Sequence, residues 1–264
     1  MTRHVFGVAT WLAVALALPS ALPPAMAQTS GRFDYAATDP QHHLTAGEFF
    51  TDLGGNFKAL ISVSNIVPVL VTGAVYGIST APEQDLKRHF APGDMWGNWA
   101  APGKYIGHPL VLGGVSAGLF AISRKSQDRR FRSFSYSLIQ GSIMSGAIVQ
   151  PSKLIFRRWR PNGDDRQSFP SGHSADSFMY ATVISEHYGW KAAIPAYTFA
   201  TYVSATRLVD RKHHLTDAVA GAGIGYIIGH TVSRQRRSNG VTPRFFVNAY
   251  KLEGGYGGTL RIGL

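Results

Sequence analysis

The sequence predicts an all-α fold, a bundle of about six core helices followed by a short C-terminal β-hairpin. Three observations carry that expectation. Across 264 residues, 45% hydrophobic against 16% charged is enough apolar material for a buried core and too much for a disordered chain. Apolar segments recur, separated by Gly, Pro or charge, and their length and small-residue content favour helices over strands. The last twenty residues change character: Phe245-Phe246-Val247, Tyr250 and Thr259-Leu260-Arg261-Ile262 flank a glycine-rich turn from Gly254 to Gly258, the pattern of two short strands.

In chain order, Arg3 and His4 precede an apolar stretch from Val8 to Leu18 and a small-x-small site at Ala25-Met26-Ala27, the layout of a cleaved export signal over residues 1–27. Pro19, Pro23 and Pro24 break the apolar run before a transmembrane length of about 20 residues is reached. Residues 28–56 are polar and without period, and read as a surface arm. The helical domain covers 57–232, with segments at Phe57–Thr80, Tyr105–Ser123, Phe134–Val149, Ala175–His187, Ala192–Ala205 and Asp217–Val232. Between the first two lies Ala81–Gly103, with Pro82, Pro92, Pro102, Trp96 and Trp99, an ordered loop of the kind that lines a cleft. Residues 233–264 are a basic linker and the hairpin.

Charge narrows the partners. The chain has 26 Lys and Arg against 15 Asp and Glu, a formal +11, which draws phosphate-bearing molecules. The absence of cysteine excludes disulfides, thiolate nucleophiles and thiol-ligated metal. Six membrane crossings after an exported N-terminus put the basic connector Arg124–Arg132 outside, against the positive-inside bias. A compact exported bundle, periplasmic and either soluble or membrane-associated, is therefore the simpler reading. A cytoplasmic N-terminus makes an integral inner-membrane form with an outward-facing site self-consistent.

Three short constellations have the residue types that phosphate chemistry needs. Lys153 and Arg160 are seven residues apart, close to two helical turns, so both cations project from one face before Pro161 stops the helix. Arg157 and Arg158 fall on other faces and read as solvated charges. In Pro170-Ser171-Gly172-His173, ahead of the fourth segment, Gly172 lets a backbone N–H approach an anion, Ser171 adds a hydroxyl at a helix N-terminus, and His173 titrates near neutrality. Arg207, His213 and Asp217 follow. The four-residue step from His213 to Asp217 brings a carboxylate to an imidazole, whereas His214 lies about 100° further round.

Taken in order, Lys153…Arg160-Pro161, Pro170-Ser171-Gly172-His173 and Arg207…His213…Asp217 resemble the three signature motifs of the type 2 phosphatidic acid phosphatase and vanadium haloperoxidase superfamily. Thr206 stands where that family has Ser, and keeps a hydroxyl. The resemblance implies a phosphatase of phosphate monoesters or lipid (di)phosphates that needs no metal and no cofactor. His213 is then the nucleophile, Asp217 its orienting carboxylate and His173 the acid for the leaving oxygen. Lys153, Arg160, Ser171, Gly172 and Arg207 hold the phosphoryl oxygens. A vanadium-dependent haloperoxidase and a non-catalytic basic anion-binding protein are the alternatives. Nucleic acid is disfavoured as a partner, because the cations surround a His-Asp pair rather than interleave with aromatics.

Overall fold

The computed structural model describes residues 45–89, 100–238, 244–252 and 255–263, with side chains over 45–88 and 100–234. The expected export signal and Trp96 and Trp99 of the connector lie outside the described residues. The body is all-α. The C-terminal hairpin expected from the sequence is not supported as part of this body.

Nine helices make up the described body: α1 (Ala46–Ala59), α2 (Ile66–Ser79), α3 (Glu83–His89), α4 (Ala101–Ile106), α5 (Pro109–Ser123), α6 (Arg129–Phe156), α7 (Gly172–Tyr188), α8 (Trp190–Val209) and α9 (Leu215–Ser238). Local chemistry sets their ends. Thr45 and Glu48 form a reciprocal capping box that starts α1, inside the stretch expected to be an irregular arm. Asp128 caps α6 by accepting from the N–H groups of Arg130 (2.8 Å) and Phe131 (3.2 Å). His108 Nδ1 accepts from Leu110 N–H at 3.2 Å, and Pro109 opens α5. The segment expected as one helix over Phe57–Thr80 is instead the end of α1, a 3₁₀ turn at Val63–Asn65, and α2. Within the expected loop Ala81–Gly103, α3 forms at Glu83 and α4 begins at Ala101. Conversely α6 runs past Val149 to Phe156, with Pro151 on its exposed side.

The core lies where α6, α7 and α9 meet, around Leu138, Met144, Met179, Val183, Ile228 and Val232. Helices α7 and α9 touch along much of their length because Gly221, Gly225 and Gly229, each four residues on from the last, present no side chain to α7. A Cβ on Gly221 would lie 2.4 Å from the Ser171 carbonyl oxygen, and one on Gly225 would lie 2.0 Å from that of Ala175. On another side of α9, Gly223 accepts Thr72 of α2 in the same way.

Because the backbone of Ala175 cannot yield cheaply, Gly225→Ala should force α7 and α9 apart and lower stability by about 1–3 kcal/mol. Denaturant unfolding measures this, and an unchanged midpoint would mean that the helices are not seated as described.

Candidate active site

Lys153 lies in the last turn of α6, 8% exposed, and its Nζ donates to the Gln167 carbonyl at 2.7 Å. The helix does not continue to Arg160. It stops at Phe156, where Arg157 turns into the left-handed region (φ 44°). The following loop closes on itself, with Arg160 N–H donating to the Asp165 carbonyl and Ser168 N–H to that of Arg158, both at 3.0 Å. The two-turn helical spacing read from the sequence is thus corrected. Lys153 and Arg160 are brought near each other by a loop, and Arg160 is aimed by its Nε bond to Asp165 Oδ1 at 2.7 Å.

Ser171 is fully buried and caps α7, while its N–H donates to the Asp217 main-chain oxygen at 3.0 Å, tying the second motif to the third. Gly172 is buried against Pro109 and Val149. His173, the next residue, has its Nε2 3.2 Å from the Lys104 carbonyl and its ring edge-on to His108 at 5.4 Å. A carbonyl only accepts, so Nε2 carries the hydrogen and Nδ1 is left bare. Burial foremost, then Arg207, with smaller contributions from His108 and Lys153, push the His173 pKa down to about 4 against the opposing Lys104 carbonyl.

Arg207 is 3% exposed in the last turn of α8. Its Nη2 lies 2.7 Å from Asp210 Oδ2 but out of line for a hydrogen bond, which leaves a buried guanidinium donor with no hydrogen-bond partner. Such a donor is costly unless an anion receives it. Thr206, the substituted motif position, does not reach toward an anion. Its hydroxyl donates to the Val203 carbonyl, and its side chain fills the space left by Gly103 of α4, where a Cβ would lie 2.6 Å from Thr206 Oγ1.

His213 is buried in the loop just before α9, and its Nδ1 is 2.6 Å from the Ser168 carbonyl. By the same reasoning Nδ1 carries the hydrogen and Nε2 is bare. Burial, then Lys153 and Arg160, hold its pKa well below the usual histidine value, against the Ser168 carbonyl; His173 contributes in the same direction as the cations. The expectation that Asp217 contacts the ring directly is corrected. Helix α9 begins only at Leu215, so the four-residue step is not a helical turn, and Asp217 Oδ2 stands 4.0 Å from Nδ1. Asp217 instead accepts from Ser168 Oγ (2.5 Å), His214 N–H (2.8 Å) and Arg158 Nη1 (2.7 Å). His214, which also precedes the helix, turns its Nε2 toward the Trp159 carbonyl.

Mutual electrostatic influence shows that the three motifs share one neighbourhood. Lys153 and Arg160 act on His213, Lys153 and Arg207 on His173, and Arg160 on both Lys153 and Arg207. Burial, followed by repulsion from Arg160, lowers the Lys153 pKa to about 8, with Asp217 and Asp165 pulling the other way. Two uncharged imidazoles with bare nitrogens, gathered among cations, make a site for an anion that can be attacked at one side and protonated at another. Among the described residues no group of three or more His, Asp or Glu is placed to hold a metal ion. Sequence reading missed Arg158 and Glu83. It took Arg158 for a solvated charge, yet Arg158 bonds both Asp217 and Glu83. Nothing in the local spacing signals that a residue 75 positions earlier completes the arrangement.

Comparison with known proteins agrees with this geometry. A stretch of the lipid A 1-phosphatase of Porphyromonas gingivalis is 34% identical over 92 residues, covering 34% of this chain and 21% of that protein. A protein of Klebsiella pneumoniae described as an uncharacterized 22.5 kDa protein in the cps region is 31% identical over 131 residues, 46% of this chain and 61% of the other. The chain therefore spans about a fifth and about three fifths of these relatives. No solved structure matches it significantly. The family model of the PAP2 superfamily matches residues 134–240, a span that contains all three motifs and both bare imidazoles.

Proposed function

We propose that the protein is a phosphoric monoester hydrolase of the lipid phosphatase type, working through a phosphohistidine. The observation that carries this reading is the pairing of His213 and His173, each fixed in one tautomer by a main-chain carbonyl and each kept neutral among buried cations. Bound phosphate lies among Lys153, Arg160, Arg207, the Ser171 hydroxyl and the Gly172 N–H, which balance the charge that a metal supplies in other phosphoryl-transfer sites. His213 Nε2 forms a bond to phosphorus as the bond to the ester oxygen breaks, and protonated His173 passes its Nδ1 proton to that oxygen. Water then attacks the phosphohistidine, His173 takes a proton from it, and inorganic phosphate and neutral His213 are released. Asp217 acts through Ser168 rather than on the ring.

The substrate's alcohol half is a lipid on this reading. Helices α2 and α5 contain no charged residue, yet Leu70 is 66% and Leu110 81% exposed, with Ile66, Val67, Val69, Val111, Val115 and Ile122 also exposed. Exposed apolar side chains in such numbers along uncharged helices mark a binding face. The N-terminal end of α5 adjoins the site through His108 and Pro109, and exposed Lys104, Arg157 and Arg166 lie in the segments flanking it, suited to anionic headgroups. Among the described residues no single helix is long and apolar enough to cross a membrane, although the bent pair Ala46–Ala59 and Val63–Ser79 is so jointly. We therefore read the protein as membrane-associated through this face and, with residues 1–27 read as a cleaved export signal, as acting outside the cytoplasm. The name of one relative, lipid A 1-phosphatase, favours a phosphate carried on a lipid.

Phosphate release from an aryl phosphate, in the presence of a chelator, tests the chemistry: His213→Ala should lose activity by at least about 10³-fold. His173→Ala should lose far more with an alkyl than with a nitrophenyl leaving group, because only the alkoxide needs the proton. Equal loss on both would remove His173 from the acid role.

The pH profile has a definite sign. The reactive combination is protonated His173, with a free-enzyme pKa of about 4, and dianionic ester, whose second ionisation is near pH 6. Their product is flat between those values, so kcat/KM should plateau from about pH 4 to about pH 6 and fall about tenfold per unit above.

For the lipid face, Leu70→Glu combined with Val111→Glu should lower turnover of a lipid phosphate in anionic vesicles about tenfold or more. Activity on a soluble aryl phosphate should stay within about twofold. Equal activity on vesicles would show that the face does not meet lipid.

A further inference from the structure

Glu83, at the start of α3, lies outside the residues 134–240 that match the family model, yet it is wired to the candidate nucleophile. Its Oε1 meets Arg158 Nη2 at 2.5 Å, while Oε2 accepts from Thr216 N–H at 3.2 Å and from the Thr216 hydroxyl. Arg158 Nη1 donates in turn to Thr216 Oγ1 (2.6 Å) and to Asp217 Oδ1 (2.7 Å). The other Asp217 oxygen holds Ser168 Oγ, and the Ser168 carbonyl holds His213 Nδ1.

We propose that Glu83 and Arg158 form a clamp on Asp217 that sets the position and tautomer of His213, making both of them positioning residues for phosphoryl transfer. The proposal rests on the reading of His213 as nucleophile. The logic is one of charge and direction. Asp217 is fully buried and needs a cation beside it. Arg158 can satisfy it only while its fork is aimed by a second carboxylate, since a guanidinium that bridges two acceptors has little freedom left. Lysine has one charged nitrogen and cannot span both. His214 is the remaining titratable group facing the cluster, with its Nδ1 3.8 Å from Glu83 Oε1. Burial raises the Glu83 pKa, but Thr216 and Arg158 outweigh it and hold the carboxyl below its ordinary value.

The clamp touches neither the cations that receive phosphate nor the lipid face, so its loss should appear in the chemical step. For Glu83→Ala and Arg158→Lys, kcat on an aryl phosphate should fall about 10- to 100-fold while KM stays within about twofold. The shape-preserving Glu83→Gln should retain an intermediate kcat, because its carbonyl still accepts one of the two sets of bonds. Thermal unfolding of each variant, and inhibition by vanadate as a measure of the intact anion site, accompany the kinetics. Unchanged kcat in Glu83→Gln and Arg158→Lys that remain folded would overturn the clamp, as would a loss seen in KM or in vanadate affinity rather than in kcat. His213→Ala is the separate control. Full activity in that variant would defeat the phosphohistidine reading itself, whereas its inactivity combined with normal kcat in the clamp variants would defeat the clamp alone.

Discussion

The close approach of α7 and α9 is the constraint on which the rest of the protein depends. His173 is the second residue of α7, and His213 lies two residues before α9, so the separation of these two helices sets the separation of the two imidazoles. Three glycines spaced one turn apart remove the side chains that would otherwise hold the helices apart, and the backbone of α7 fills the space. The N–H of Ser171 bonds the main-chain oxygen of Asp217 at the end of this seam, so packing and site geometry are one arrangement. The buried cations gather at that same end, where an anion can compensate their mutual repulsion.

Electrostatics gives the site its character. Lys153 and Arg207 are buried, and Arg160 repels both, against the pull of Asp217 and Asp165 on Lys153 and of Asp210 on Arg207. That is unfavourable for an empty protein and favourable for one that holds a phosphoryl group, since the charge developing on its oxygens meets donors already in place. Burial and the same field lower both histidine pKa values. On the mechanism proposed above, His173 then obtains its proton in company with the substrate, whose negative charge counteracts the cations.

Much of this was legible in the sequence, and the failures have physical reasons. Helix type and the three motifs are read from local pattern, and the structure brings the motifs into one neighbourhood. Spacing misled where it assumed a helix that does not exist. Lys153 and Arg160 are joined by a left-handed residue and a loop, and His213 precedes the helix that contains Asp217. Arg158 looked like a solvated charge because its partners, Glu83 and Asp217, are remote in the chain. The break between α1 and α2 falls at residues 62–65 within a segment that is apolar on average, and average hydropathy does not reveal where a chain turns.

The acceptor that fixes His173 is the main-chain oxygen of Lys104, not its side chain, and α4 is held in place by Thr206 filling the space left by Gly103. Position 104 can therefore exchange its exposed ammonium for other groups without disturbing the imidazole. Across evolutionary time, the rim of the site is free to drift while the arrangement behind it stays fixed.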